Sequence, residues 1–496
     1  MSERRTWPVR LSPFLRDLAL TAATSLLTIA ALIVFGRILA LRLDPEGFGA
    51  VMLARRIVAT LDPVSTFAMA IAVTRFAALM GEGKRHRVLV VGTAMALGVG
   101  AIVAAIWFGF SAAIAEVVFE SPMYLAIVQA TAAVIATYSV FIVLYAWYRG
   151  TERMWEANLW QIWAIAIGPV VVVWLTARPG NEPRLLIGLA LVLLIAAFPL
   201  AAELVVALKK RQPFEGKTLR TMVRYAAPRV PGGLAFGALL AIGPLMAPRL
   251  ASVEAIGYVA TGQALLRVVE GATEAFGRVA LAKVSQLVAA GEHTVLKERI
   301  ADVAAVVLHI GAFATLQLWV WTPEIIGAWL GPEYLPGVRV VRIVVLGVLP
   351  YLLFVTLRSV LDSIEERAVN ASNLYIAVAV TAIASVILGR RFEAEGLAAA
   401  MAVGFLLLGT MTFRAVHHRY AFALQTLMTP HVFAINAGLF IAALAVQAVV
   451  TSRSLPAVPM AVAAETVFAL LYGLVLWRLG ARWMREIARR VDMGAA

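Results

Sequence analysis

The chain has 496 residues, 62% of them hydrophobic and only 15% charged, with a formal net charge of +14 and no cysteine. With a mean hydropathy of +0.87, this balance excludes an ordinary soluble globular protein, which is nearer half apolar and a quarter charged; the absence of cysteine excludes disulfides and thiolate metal sites. The excess positive charge is read as juxtamembrane loops facing anionic phospholipids rather than as a nucleic-acid surface, and the chain as an all-α integral membrane protein.

In chain order, Arg4, Arg5, Arg10 and Arg16 precede an apolar run from Leu18 to about Leu41. That run is longer than a signal-peptide core and has no small-residue cleavage site after it, so it is expected to be the first span. A crossing helix needs roughly 20 apolar residues. About 14 such stretches follow one another: 17–41, 48–80, 88–114, 123–148, 158–177, 185–208, 222–250, 255–290, 300–322, 337–364, 371–389, 395–416, 431–451 and 457–480. The second, seventh and eighth are long enough to require tilt or a kink. The connections are short and polar, and the longest on the outside, "TPEIIGAWLGPEYL", has no room for a catalytic domain. Lys and Arg concentrate in alternate loops, such as those holding Lys84, Arg85 and Arg87 or Lys209, Lys210 and Arg211. The positive-inside rule then places both termini in the cytoplasm.

An internal duplication organises these spans. At an offset of 208, Gly49 falls on Gly257, Asp62 on Glu270, Arg75 on Lys283 and Gly83 on Gly291. Farther on, Glu152-Arg153 falls over Glu366-Arg367 and Ala157 over Ala371. The copies are six spans apart, so they share orientation and are related by an axis along the membrane normal. The expected organisation is a cytoplasmic tail (1–16), two six-helix bundles (17–216 and 217–420) facing a shared cleft, an appended pair of helices 13 and 14 (421–480), and a basic cytoplasmic tail (481–496).

Ionisable residues inside such spans are costly and should face the bundle interior or a wet cavity. In the eighth span Arg267, Glu270, Glu274 and Arg278 fall on one stripe roughly 80° wide at helical spacing. Two readings compete: the residues neutralise one another between helices, or they line a cavity. Lys283, off that stripe, and its counterpart Arg75 are placed near the inner surface, where they can snorkel. In the second span Arg55 and Arg56 are offset only by Asp62. Either they reach the outer interface, or they are unpaired cations facing the cleft, where a phosphate or diphosphate suits the guanidinium fork. Arg37 is a further candidate for that anionic site, with snorkelling as its alternative. Arg358 and Asp362 are read as a structural i,i+4 pair. Pro228, Pro231, Gly232 and Gly233 open the second half and are read as a hinge. The six histidines show no metal-ligand spacing, and no Gly-x-x-x-x-Gly-Lys motif for nucleotide binding occurs.

The stretch "FGRILALRLDPEGFGAVMLARRIVATLDPVSTFAMAIAVTRFAAL" resembles the N-terminal signature of the bacterial polysaccharide (oligosaccharide-lipid) flippases of the multidrug/oligosaccharidyl-lipid/polysaccharide exporter superfamily. "WLGPEYLPGVRVVRIVVLGVLPYLLFVTLRSVLDSIEERAVNASN", followed by "FEAEGLAAAMAVGFL", is similar to the family's second-half signature. The resemblance implies a flippase, not an enzyme, that moves a polyprenyl-diphosphate-linked oligosaccharide across the bacterial inner membrane by alternating access, for cell-surface polysaccharide synthesis. It implies a cationic cavity, carried here by Arg55, Arg56 and Arg267, and an acid for H+ or Na+ coupling, for which Asp62 and Glu270 are the candidates, with Glu274 as a further cavity acid. No metal or organic cofactor is expected. A monomer is expected, with glycosyltransferases and a polysaccharide polymerase as working partners. A lipid II flippase and a cation or drug antiporter are the alternatives within the superfamily. A membrane glycosyltransferase or polymerase is the alternative outside it.

Overall fold

The computed structural model describes residues 13–81, 84–210, 214–289, 293–364, 369–420, 430–453 and 456–478. Among these, every regular element is helical. The first part contains α1 (Pro13–Arg42), α2 (Pro45–Ser65), α3 (Met69–Leu79), α4 (Arg85–Gly109), a short α5 (Ser111–Val118), α6 (Leu125–Gly150), α7 (Met154–Gln161), α8 (Gly168–Thr176), α9 (Glu182–Ala197) and α10 (Pro199–Lys209). A π-helical segment, Ile162–Ile167, joins α7 to α8. The second part contains α11 (Gly216–Ala226), α12 (Val230–Leu250), α13 (Val253–Ala289), α14 (His293–Trp329), α15 (Val338–Val345), α16 (Val348–Ile364) and α17 (Val369–Tyr420). The appended pair is α18 (Pro430–Ser452) and α19 (Ala457–Arg478).

Among the described residues, nine helices are long and apolar enough to cross a membrane, and two bent helix pairs raise the number to as many as 11. α17 reverses at Glu393 (φ 50°, ψ −126°), so that Thr381 of one limb faces Gly404 of the other. The long second span is one of the bent pairs. Asp44 caps α2 by accepting from the Gly47 N–H at 2.8 Å, and Pro45 opens its first turn. Pro63 lies inside α2, and Phe67 and Ala68 then take left-handed φ values of 51° and 50°. α2 and α3 consequently meet at 49°. α14 continues through Pro323 to Trp329, so the connection expected at "TPEIIGAWLGPEYL" is mostly helix. The carbonyl of Trp319, deprived of its helical donor by Pro323, accepts from Arg342 Nε at 2.9 Å.

Packing differs between the two ends of the molecule. At the end that carries Gly49, one hydrophobic core runs through both lobes, from Phe35, Phe48 and Leu53 to Ile256, Tyr334 and Val344. Phe48 and Tyr334 meet edge to face at 5.3 Å. Gly49 and Gly257, paired by the duplication, touch there: a Cβ on Gly49 would stand 2.2 Å from the Val253 carbonyl oxygen and 3.5 Å from the Gly257 nitrogen. Glu120, before α6, pairs with Arg249, at the end of α12, at 2.6 Å. At the Arg75 end the cores are separate. One gathers Met69, Val73, Val143 and Trp147, and the other Ile300, Ala304, Leu357 and Val416. Among the described residues, a single core thus joins the lobes at one end, and separate cores lie at the other.

The expected bundles divide at 216/217, and α11 lies just past that division. Met222 and Ala226 of α11 are buried in the core of the first bundle, and Arg87 of α4 pairs with Glu215, just before α11, at 3.1 Å. α11 therefore belongs to the first bundle by packing, because its amphipathic sequence offers an apolar face only there. The chain changes bundle at the 3-10 turn Ala227–Arg229. Pro228, Pro231, Gly232 and Gly233, the expected hinge residues, lie at or just after this turn. Gly233 is also a contact residue, since a Cβ there would stand 2.7 Å from Pro63 Cγ. The tails 1–12 and 479–496 lie outside the described residues.

Candidate functional site

α2 of the first lobe and α12 and α13 of the second enclose a cavity of about 240 Å³, completed by α1 and the π-helical segment. Arg55, Arg56 and Arg267 all line it. The remaining wall is mostly apolar, with Leu32, Met52, Ile165, Ile256 and Ala260, and it contains no aspartate or glutamate. The duplication is visible in the wall itself. At the offset of 208, Met52 corresponds to Ala260, Arg55 to Gln263, Arg56 to Ala264 and Ala59 to Arg267, and all eight line the cavity. The two helices present the same register to the same space, as expected for duplicated helices facing a common axis.

The three arginines are held differently. The Arg55 guanidinium lies 4.2 Å from the centroid of the buried Phe35 ring, and its Nη1 is buried without a hydrogen-bond partner. Arg56 Nη2 donates to Gln263 Oε1 across the lobe boundary. Arg267 is exposed and has no ion pair among the described residues. Arg56 and Arg267 thus face each other from different lobes with no carboxylate in the wall between them. A guanidinium keeps its charge under all accessible conditions, so the cavity is cationic.

The other expected site residues lie elsewhere. Arg37 is not a cavity residue. Its Nη1 donates to the Trp329 carbonyl at 2.9 Å, and Trp329 Nε1 donates back to the Ile33 carbonyl at 2.7 Å. This exchange pins α1 to the end of α14, where the last carbonyls of α14 lack helical donors. Glu270 accepts from the Tyr351 hydroxyl at 3.0 Å instead of facing the cavity. Asp62 is off the cavity wall as well, one turn beyond Ala59, and its Oδ1 is buried without a partner. The side chains of Glu274, Arg278 and Lys283 lie outside the described residues. Arg358 lies 5.4 Å from the Phe236 ring and 5.6 Å from the Phe354 ring; its expected partner Asp362 has its side chain outside the described residues. Arg75 lies against the Tyr225 ring at 4.8 Å and donates to its hydroxyl at 3.3 Å. Among the described residues no cluster of His, Asp or Glu suited to a metal occurs.

One residue of the site escapes a search for charge. Gln263 is buried, joins Arg56 to the second lobe and lines the cavity. It stands four residues before Arg267, on the same stripe, and is the counterpart of Arg55 in the duplication. Either signal was sufficient to find it.

A bilobed helical bundle of this kind, with a cavity between the lobes, is a fold shared with proteins of known structure. Among solved structures, the chain is similar to the lipid II flippase MurJ in an inward closed conformation. The TM-score is 0.73 at 13% identity, over 94% of this chain and 99% of that one. It is also similar to an inward-facing multidrug resistance MATE family transporter of the MOP superfamily, with a TM-score of 0.66 at 10% identity, over 81% of this chain and 98% of that one. A MATE structure in the bent conformation gives 0.54 at 11% identity, over 86% and 98% of the two chains. No family model matches the chain, and no curated protein matches it by sequence.

Proposed function

We propose that this protein is a flippase for a polyprenyl-diphosphate-linked oligosaccharide, working in the bacterial inner membrane by alternating access. The observation that carries this reading is the cavity between the lobes, lined by three arginines and no carboxylate. A diphosphate offers several acceptor oxygens to guanidinium forks. Bound between Arg55 and Arg56 of one lobe and Arg267 of the other, it would replace repulsion with attraction and draw the lobes together. Translocation follows if that closure is completed at the Arg75 end while the Gly49 end opens. The charge distribution of the loops supports the Arg75 end as the cytoplasmic one. The exposed Lys217, Arg220 and Arg224 on one face of α11 then meet anionic phospholipid headgroups.

Lipid II is the second candidate, since it presents the same lipid diphosphate and the chain shares its fold with a lipid II flippase. A cation or drug antiporter is disfavoured by the sign of the cavity. Offered in nanodiscs, a polyprenyl diphosphate is expected to bind, and tetraphenylphosphonium is not. Tight binding of the cation with no binding of the diphosphate would overturn the reading.

Asp62 is proposed as the ion-coupling acid. It is a half-buried carboxylate whose Oδ1 is buried without a hydrogen-bond partner, next to Pro63 at the bend between α2 and α3. Transport by Asp62→Asn is expected to become indifferent to a protonophore, or to Na+ withdrawal if Na+ is the coupling ion. Unaltered sensitivity to both in that variant argues against the assignment.

A further inference from the structure

Pro244 stands inside α12 and has no N–H, so the Leu240 carbonyl four residues earlier loses its helical donor. The Gln263 side chain of α13 supplies one: Nε2 donates to the Leu240 carbonyl at 2.7 Å, with Met401 Sδ at 3.3 Å as a second contact. A carbonyl only accepts and a guanidinium only donates, so this bond decides which end of the amide faces Arg56. Oε1 accordingly accepts from Arg56 Nη2. The same device operates at Pro323, where Arg342 serves the Trp319 and Val320 carbonyls at 2.9 and 3.3 Å. There both contacts end on backbone. At Gln263 the second contact ends on a cavity arginine from the opposite lobe.

We infer that Gln263 is the positioning residue of the anion site, and that it ties the proline gap in α12 to the aim of Arg56. The inference rests on the reading of the cavity as a diphosphate site. Arg56 has five N–H donors on a planar fork. With Nη2 anchored on Gln263, the fork is held in one orientation before the anion arrives, and less side-chain freedom is lost on binding. Because α12 begins within the segment Pro228–Gly233, a change in its bend moves the Leu240 carbonyl, with it the amide, and with the amide the fork. The duplication gives the position a second meaning: where the first lobe has Arg55, the second has an amide that aims an arginine instead of adding a fourth cation.

The test uses the full-length protein in nanodiscs with a labelled polyprenyl diphosphate. Gln263→Met keeps the volume and removes both hydrogen bonds, and affinity is expected to fall about tenfold, the value of a hydrogen bond to a charged group. Pro244→Ala returns a helical N–H to Leu240 and releases the amide while strengthening the helix. It is expected to weaken the same binding severalfold without lowering the unfolding temperature, and it decides the matter if Gln263→Met does not fold. In an Arg56→Ala background, Gln263→Met is expected to cost nothing further, a coupling that a purely structural role would not show. Full affinity in Pro244→Ala and Gln263→Met, or fully additive losses in the Arg56→Ala background, would overturn the inference. Full affinity in Arg56→Ala would instead strike the diphosphate reading itself.

Discussion

Replacing Arg55 with leucine is expected to stabilise the substrate-free protein and abolish its transport. Arg55 Nη1 is buried without a partner, and leaving a buried donor unsatisfied costs about 1–3 kcal/mol, more when it is charged. Neighbouring guanidinia add repulsion, on the order of 2 kcal/mol for each pair of unit charges roughly 8 Å apart at an effective dielectric near 20. The Phe35 ring beneath the guanidinium returns about 0.5–2 kcal/mol of this. The balance is unfavourable without an anion and favourable with one, as expected of a site that gives up stability for binding. The unfolding temperature of Arg55→Leu should rise, and its affinity for a polyprenyl diphosphate should fall by about 10- to 100-fold, as for the loss of a charge-assisted contact. Arg56→Leu should lose affinity similarly but gain less stability, because it leaves Gln263 Oε1 without its donor. A destabilised Arg55→Leu that still transports would show that the arginine serves packing alone.

The second large effect is expected at the Gly49 end. A Cβ on Gly49 would stand 2.2 Å from the Val253 carbonyl oxygen, and backbone at that distance cannot give way unless α2 and α13 separate. Gly49→Val should therefore prise the lobes apart at that end. Overpacking costs about 1–3 kcal/mol, which shifts a two-state equilibrium by roughly 5- to 150-fold. The chain has no cysteine, so Met52→Cys, on the cavity wall, is an unambiguous reporter. An impermeant maleimide added on the Gly49 side should label it faster in the Gly49→Val background, and transport should be lost. Unchanged labelling with normal transport would remove the glycine contact from the gating scheme.

Much of this was legible in the sequence, for identifiable reasons. Hydropathy marks the helices because the bilayer leaves few alternatives. The duplication aligns Gly49 with Gly257, which touch in the fold, since helices facing a common axis must present matching registers. Arg55, Arg56 and Arg267 stood out because charge in an apolar helix needs a reason. The failures are equally specific. Arg37 also looked like a cavity cation, but its partner is the last turn of α14, nearly three hundred residues away. Gln263 carries no charge, and its importance comes from a carbonyl that Pro244 leaves open on another helix. α11 lies next to the second bundle in sequence while its apolar face is buried against the first. In each case the deciding contact is long-range; periodicity can place Gln263 on the stripe of Arg267 but does not show which groups its amide meets.

The most direct measurement is translocation of a polyprenyl-diphosphate-linked oligosaccharide across proteoliposome membranes that contain the purified protein, with the wild type compared with Arg267→Ala. Arg267 is the contribution of the second lobe to the cationic cavity, and it has no ion pair among the described residues. The wild type should move the glycan to the opposite leaflet. Arg267→Ala, folded and inserted, should be reduced to the rate of protein-free vesicles. Equal rates in the two proteins would contradict a diphosphate site between the lobes.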